Sequence, residues 1–130
     1  MPISNTPPAL ILAAPGHDAL AESLARSTNA ELGRVEYRRF PDGEIYLRIA
    51  SQIAGRQVMI VTSLNDPDPQ LPGLLFLADA AKELGAADIG LVTPYLAYMR
   101  QDCRFQDGEA VTSRTFARVL SAAFDWIVMV

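Results

Sequence analysis

A single cysteine, Cys103, and a single histidine, His17, occur in the 130 residues of this chain. An internal disulfide is thereby excluded, and no His/Cys set has the spacing that holds a metal. No apolar run approaches the ~20 residues that a membrane-spanning helix requires. Residues 9–14 come nearest, and Pro15-Gly16 stops them. No Lys or Arg precedes that run, so the charged opening of a secretory signal is missing and the cytoplasm is the expected compartment. Positive charge is scarce as well. Eleven Lys and Arg against fifteen Asp and Glu leave a net charge of −4, which gives no electrostatic footprint for nucleic acid. Neither glycine-rich phosphate motif, G-x-x-x-x-G-K-[ST] or G-x-G-x-x-G, occurs, so any bound anion must be held by a different local cluster.

What is present is a globular composition. Hydrophobic residues make up 50% of the chain and charged residues 20%, enough apolar surface to offset the entropy of ordering in one core. Residues 7–14 read as a strand closed by Pro-Gly, and Leu20, Ala21, Leu24 and Ala25 as a helical stripe with Asp18 as N-cap. Residues 35–40 and 45–49 are extended segments joined by a turn, a hairpin-like excursion. Residues 58–62 and 89–93 are continuous apolar runs, the mark of strands buried on both faces. Between them, residues 65–69, Asn-Asp-Pro-Asp-Pro, break the pattern, and residues 71–84 form a helix with Leu74, Leu77, Ala78, Ala81 and Leu84 on one face and Gly85 after it. Residues 95–110 are expected to be mostly loop. Thr112 or Ser113 then caps a helix carrying Phe116, Val119, Leu120 and Ala123, and residues 126–130 are a last strand. The alternation predicts an α/β fold, a parallel-type sheet with helices on both faces. Ligands gather beyond the carboxyl ends of such strands, after Thr62 and Thr93. An end within or just after an apolar strand reads as part of a longer protein.

Two segments carry candidate chemistry. Phe40-Pro41-Asp42-Gly43-Glu44 sets an aromatic ring and two carboxylates around one glycine, suited to stacking on a purine and accepting from its exocyclic amine. An ordinary acidic turn has the same composition. Tyr95 to Phe105 brings Arg100 and Arg104 beside two tyrosines at a strand's carboxyl end, where guanidinium forks bind phosphate oxygens. A solvated loop whose arginines pair with Asp102, Asp107 and Glu109 is the alternative. His17 reads as a residue beside a helix cap, and Cys103 as a neutral loop thiol.

Taken in order, Phe-x-Asp-Gly-Glu, the helix Leu74-Leu75-Phe76-Leu77-Ala78-Asp79-Ala80-Ala81-Lys82, and Pro-Tyr-x-x-Tyr-x-Arg-Gln-Asp before a helix resemble ribose-phosphate pyrophosphokinases. The resemblance runs from about Ala9 to the last residue. It implies a phosphoribosyltransferase-like domain, residues 1–130, the first of two similar domains. The family transfers the β,γ-pyrophosphoryl group of MgATP to the 1-hydroxyl of ribose 5-phosphate, releasing AMP. By matching position, Arg100 and Gln101 would contact ATP with Asp102 shaping their loop. Phe40, Asp42, Gly43 and Glu44 would meet the adenine of ATP on a neighbouring subunit, which implies a homo-oligomer. The family's metal-binding histidine, ribose-phosphate loop and basic catalytic loop would lie beyond residue 130, so this chain alone is expected to be inactive and Mg²⁺ to come with ATP. Cys103 stands where relatives usually carry a basic residue. A noncatalytic nucleotide-binding or assembly homologue is the alternative.

Overall fold

A computed structural model describes residues 7–130. Five parallel strands form the central sheet: β1 (Leu10–Ala13), β2 (Glu31–Leu32), β5 (Gln57–Val61), β6 (Asp88–Thr93) and β7 (Trp126–Met129). Their spatial order is β2-β1-β5-β6-β7. Between β2 and β5 in sequence, β3 (Val35–Arg39) and β4 (Ile45–Ile49) pair antiparallel as a separate two-stranded sheet, with Val35 opposite Ile49 and Arg39 opposite Ile45. Helices α1 (Asp18–Ser27), α2 (Pro67–Glu83) and α3 (Thr112–Ala123) supply the crossovers that parallel neighbours need. The parallel α/β architecture expected from the alternation is thus the one observed.

Successive side chains of a strand point to opposite faces, and the core divides accordingly. Leu10, Leu12, Val58, Ile60, Ile89 and Leu91 pack with Leu74, Leu77, Ala78 and Ala81 of α2 and with Phe116 and Leu120 of α3. Ile11, Ala13, Val61 and Val92 face the other way, onto Ala21, Leu20 and Leu24 of α1. Helices therefore cover both faces, which is why the inner strands are apolar without alternation. The hairpin lends Val35, Leu47 and Ile49 to the α2 face, and the Tyr37 hydroxyl donates to the Ala13 carbonyl at 2.6 Å, tying it to the end of β1.

Four helix boundaries differ from expectation, and the first strand is shorter than expected, Leu10–Ala13. Helix α2 begins at Pro67, with Asp66 at the N-cap position. The proline cluster does not break it because the first-turn N–H groups have no helical acceptor, so Pro67 and Pro69 sacrifice nothing there. The same helix ends at Glu83, leaving Leu84 as a half-exposed C-cap residue and not a member of the core face. His17, not Asp18, occupies the N-cap of α1, and Asp18 instead adds negative charge to the first turn. Val111 precedes α3, and no side chain caps it; the Thr112 hydroxyl reaches the Tyr98 carbonyl at 3.4 Å. The two-residue strand β2 was not foreseen.

Candidate functional site

Because the central strands are parallel, their carboxyl ends lie along one rim, and the segments after β1, β5 and β6 share it. The longest is residues 94–111, which contains no helix or strand, as expected. It begins with the Thr93 hydroxyl donating to the Tyr95 carbonyl at 2.6 Å. Tyr98 follows with φ of 63°, the one non-glycine residue in the left-handed region among the described residues. Its hydroxyl donates to Asp68 of α2, and its ring meets Phe116 of α3 edge-on at 4.9 Å between centroids. The bond to Asp68, with some burial and the charges of Asp68 and Asp66, pushes the phenol up to about 12.

Arg100 and Asp102 are exposed, and neither has a hydrogen-bond or ion-pair partner among the described residues. Gln101 is half-buried. Its amide Nε2 donates to the Cys103 carbonyl at 2.7 Å, and its own carbonyl accepts from the Ser113 N–H at 3.3 Å. The rest of the loop closes on itself. Glu109 Oε1 accepts from the N–H groups of Phe105 and Gln106, at 2.9 and 2.6 Å, while Arg104 Nε donates to the Glu109 carbonyl at 3.0 Å. One arginine is therefore spent inside the loop and the other is not. Neither arginine forms an ion pair with Asp102, Asp107 or Glu109 among the described residues; Arg104 is held by a main-chain carbonyl instead, and the Arg100 guanidinium stays open to an anion.

The hairpin turn is equally preformed. Gly43 N–H donates to the Phe40 carbonyl and Phe40 N–H to the Glu44 carbonyl, both at 2.8 Å. Asp42 Oδ1 accepts from the Glu44 N–H at 3.1 Å, an Asx turn. Gly43 has φ of +94°, which a side chain would oppose. Phe40 is 44% exposed, so it is not core filler. Its ring meets Tyr46 edge-on at 5.9 Å, and with Tyr46, Phe76 and Glu83 it lines an open cavity of about 340 Å³ against α2. Tyr98 lines a different one, with Leu71, Thr112 and Phe116. No hydrogen bond or ion pair joins the turn to the loop among the described residues, and the two candidate segments line different cavities.

A family model for the N-terminal domain of ribose phosphate pyrophosphokinase matches residues 9–123. The chain belongs to that family. It is 42% identical over 113 residues to the ribose-phosphate pyrophosphokinase of Methanosarcina acetivorans, covering 87% of this chain and 39% of that protein. The Saccharolobus solfataricus protein of the same name is 38% identical, with 86% and 39% covered. Among solved structures, phosphoribosylpyrophosphate synthetase from Mycobacterium smegmatis superposes with a TM-score of 0.86 at 27% identity, covering 95% of this chain and 42% of that one. The chain thus spans about two fifths of the length of these relatives.

Sequence reasoning within the pyrophosphokinase family picked out Arg100 to Asp102 but not Asp68, which touches their loop through Tyr98. Its Asn-Asp-Pro-Asp-Pro setting signalled only a turn, and the contact spans thirty residues. The clasp by Glu109 was also missed as geometry, although Glu109 had been named as an arginine partner. Among the described residues no three His, Cys, Asp or Glu side chains converge to hold a metal ion.

Proposed function

We propose that the full-length protein is a ribose-phosphate pyrophosphokinase that moves the β,γ-pyrophosphoryl group of MgATP to ribose 5-phosphate, giving phosphoribosyl pyrophosphate and AMP. In this reading residues 1–130 are the first of two similar domains, the ATP side of the site, inactive alone and working in the cytoplasm. Family membership supports the reaction, and the coverage of the relatives supports a second part. The observation that carries the residue roles is Arg100, a permanently charged fork without a partner among the described residues, in the loop that follows the carboxyl end of a parallel strand.

Arg100 and Gln101 hold the triphosphate, with Asp102 shaping the loop. Charge spreads onto phosphate oxygens during the displacement, so a guanidinium fixed beside them favours the transition state as well as binding. In this reading Mg²⁺ enters with ATP. Phe40 stacks on adenine while Asp42, Gly43 and Glu44 present the turn. A homo-oligomer in which the turn of one subunit meets the nucleotide of another would unite the two roles, which no hydrogen bond or ion pair joins within one chain among the described residues. The net charge of −4 leaves nucleic acid out of the reading.

The test is MgATP titration and AMP release by the full-length protein. Arg100→Ala is expected to weaken MgATP binding about 10- to 100-fold, the loss of a charge-assisted hydrogen bond. Unchanged binding would remove Arg100 from the site. MgATP binding without AMP release in the presence of ribose 5-phosphate would instead establish a noncatalytic homologue.

A further inference from the structure

We propose that Asp68 and Tyr98 form a positioning pair that sets the direction in which Arg100 and Gln101 leave the end of β6; its role in nucleotide handling rests on the reading above. A bulky aromatic residue in the left-handed region is a conformation the surroundings must impose. Three contacts do so here, from two different elements. The first turn of α2 contributes the Asp68 carboxylate to the phenol. The start of α3 contributes the Phe116 ring to the aromatic face and the Thr112 hydroxyl to the Tyr98 carbonyl. Three residues further along, the Ser113 N–H donates to the Gln101 carbonyl. Arg100 is thereby bracketed: the residue two before it and the residue after it are both held, while its own side chain is free among the described residues.

The division of labour among the contacts matters. Ring packing on Phe116 alone would survive a shift of the ring in its plane. The hydroxyl bond fixes the far end of that ring to a rigid helix, so the backbone at residue 98 cannot return to the right-handed region without breaking it. Asp68 and Tyr98 therefore act on the nucleotide through Arg100 and Gln101. Neither is a catalytic residue.

The test uses full-length protein carrying Tyr98→Phe, Asp68→Ala, both together, or Asp68→Asn, with amide exchange across residues 99–103 and the KM values of both substrates as readouts. Tyr98→Phe and Asp68→Ala are each expected to speed exchange in that segment about tenfold or more and to raise the KM for MgATP by a similar factor. The KM for ribose 5-phosphate stays unchanged. The double variant is no worse than either single one, because the two act through one bond. Asp68→Asn keeps an acceptor and recovers most of the loss, a rescue that general destabilisation would not give. Unchanged exchange in Tyr98→Phe, additive effects in the double variant, or Asp68→Asn as impaired as Asp68→Ala would each overturn the pair. Faster exchange together with Arg100→Ala that binds MgATP normally would overturn the nucleotide reading and leave the pair's hold on the loop standing.

Discussion

Gly90 has no side chain because Trp126 occupies the space. The two residues are partners in the parallel register of β6 and β7, and a Cβ at residue 90 would lie 2.1 Å from the indole ring. The ring cannot simply swing away, since its N–H donates to Asp88 Oδ2 at 2.6 Å. Gly90→Ala is therefore expected to destabilise the protein by about 1–3 kcal/mol, the usual cost of overpacking. Urea unfolding followed by the fluorescence of this single tryptophan measures it directly; an unchanged midpoint would mean that β7 can slide. Nothing in the sequence marked Gly90, which passed as one more member of a strand. Its role depends on which strand lies beside it, and strand order is a long-range fact. Arg56 was hidden for the same reason. It is 7% exposed, and its guanidinium donates to the carbonyls of Pro8 and Gln52 and to Glu31 Oε2 at 2.7 Å. Phe40, Asp42 and Glu44, by contrast, were legible because a turn is written in adjacent residues.

Between elements, two tyrosines serve as ties. Tyr37 joins the hairpin to β1, and Tyr98 joins the loop after β6 to α2. Both phenols are raised above the ordinary value of 10.0, Tyr37 chiefly by burial with a contribution from the charge of Asp18, and Tyr98 to about 12 chiefly by its bond to Asp68. A raised phenol favours the neutral form in the folded state. Its contribution is complete below the unfolded value near 10 and is lost as pH climbs through the folded value. Stability is expected to fall between about pH 10 and 12, and the fall should be shallower in Tyr37→Phe and in Tyr98→Phe, as urea midpoints across that range would reveal. An identical slope in all three proteins would show that neither tie is made in solution. The elements themselves were largely legible, because continuous apolar runs and a helical stripe are periodic signals. The starts of the helices were not. Pro67 and Pro69 look like breakers until they fall in a first turn, and Thr112 looks like a cap until Val111 is seen to hold that place without a side-chain bond.

For the molecule as a whole, the proposal that the turn at residue 40 of one subunit meets the loop at residue 100 of another is testable by mixing. Full-length Phe40→Ala and Arg100→Ala proteins should each be weakly active. In a mixed oligomer, a Phe40→Ala subunit still offers its Arg100 to the intact Phe40 of its neighbour. Random equal mixing is then expected to restore about a quarter of the sites, half multiplied by half, under a symmetric assembly. No recovery after dissociation and reassembly would confine the site to one chain.

The two sheets carry a further consequence. The five-stranded sheet is built from parallel neighbours separated by crossovers, whereas β3 and β4 pair only with each other across a five-residue connection, residues 40–44. A local hairpin of this kind forms in microseconds, well before distant strands find their partners. It can also peel from the body by giving up side-chain contacts and the Tyr37 tie, without tearing any ladder of the main sheet. Phe40 and Asp42 are therefore expected to ride on a unit that opens separately from the main sheet. A ligand that bridges the turn and the body is expected to hold the unit closed, and slower amide exchange across β3 and β4 in its presence would register that hold.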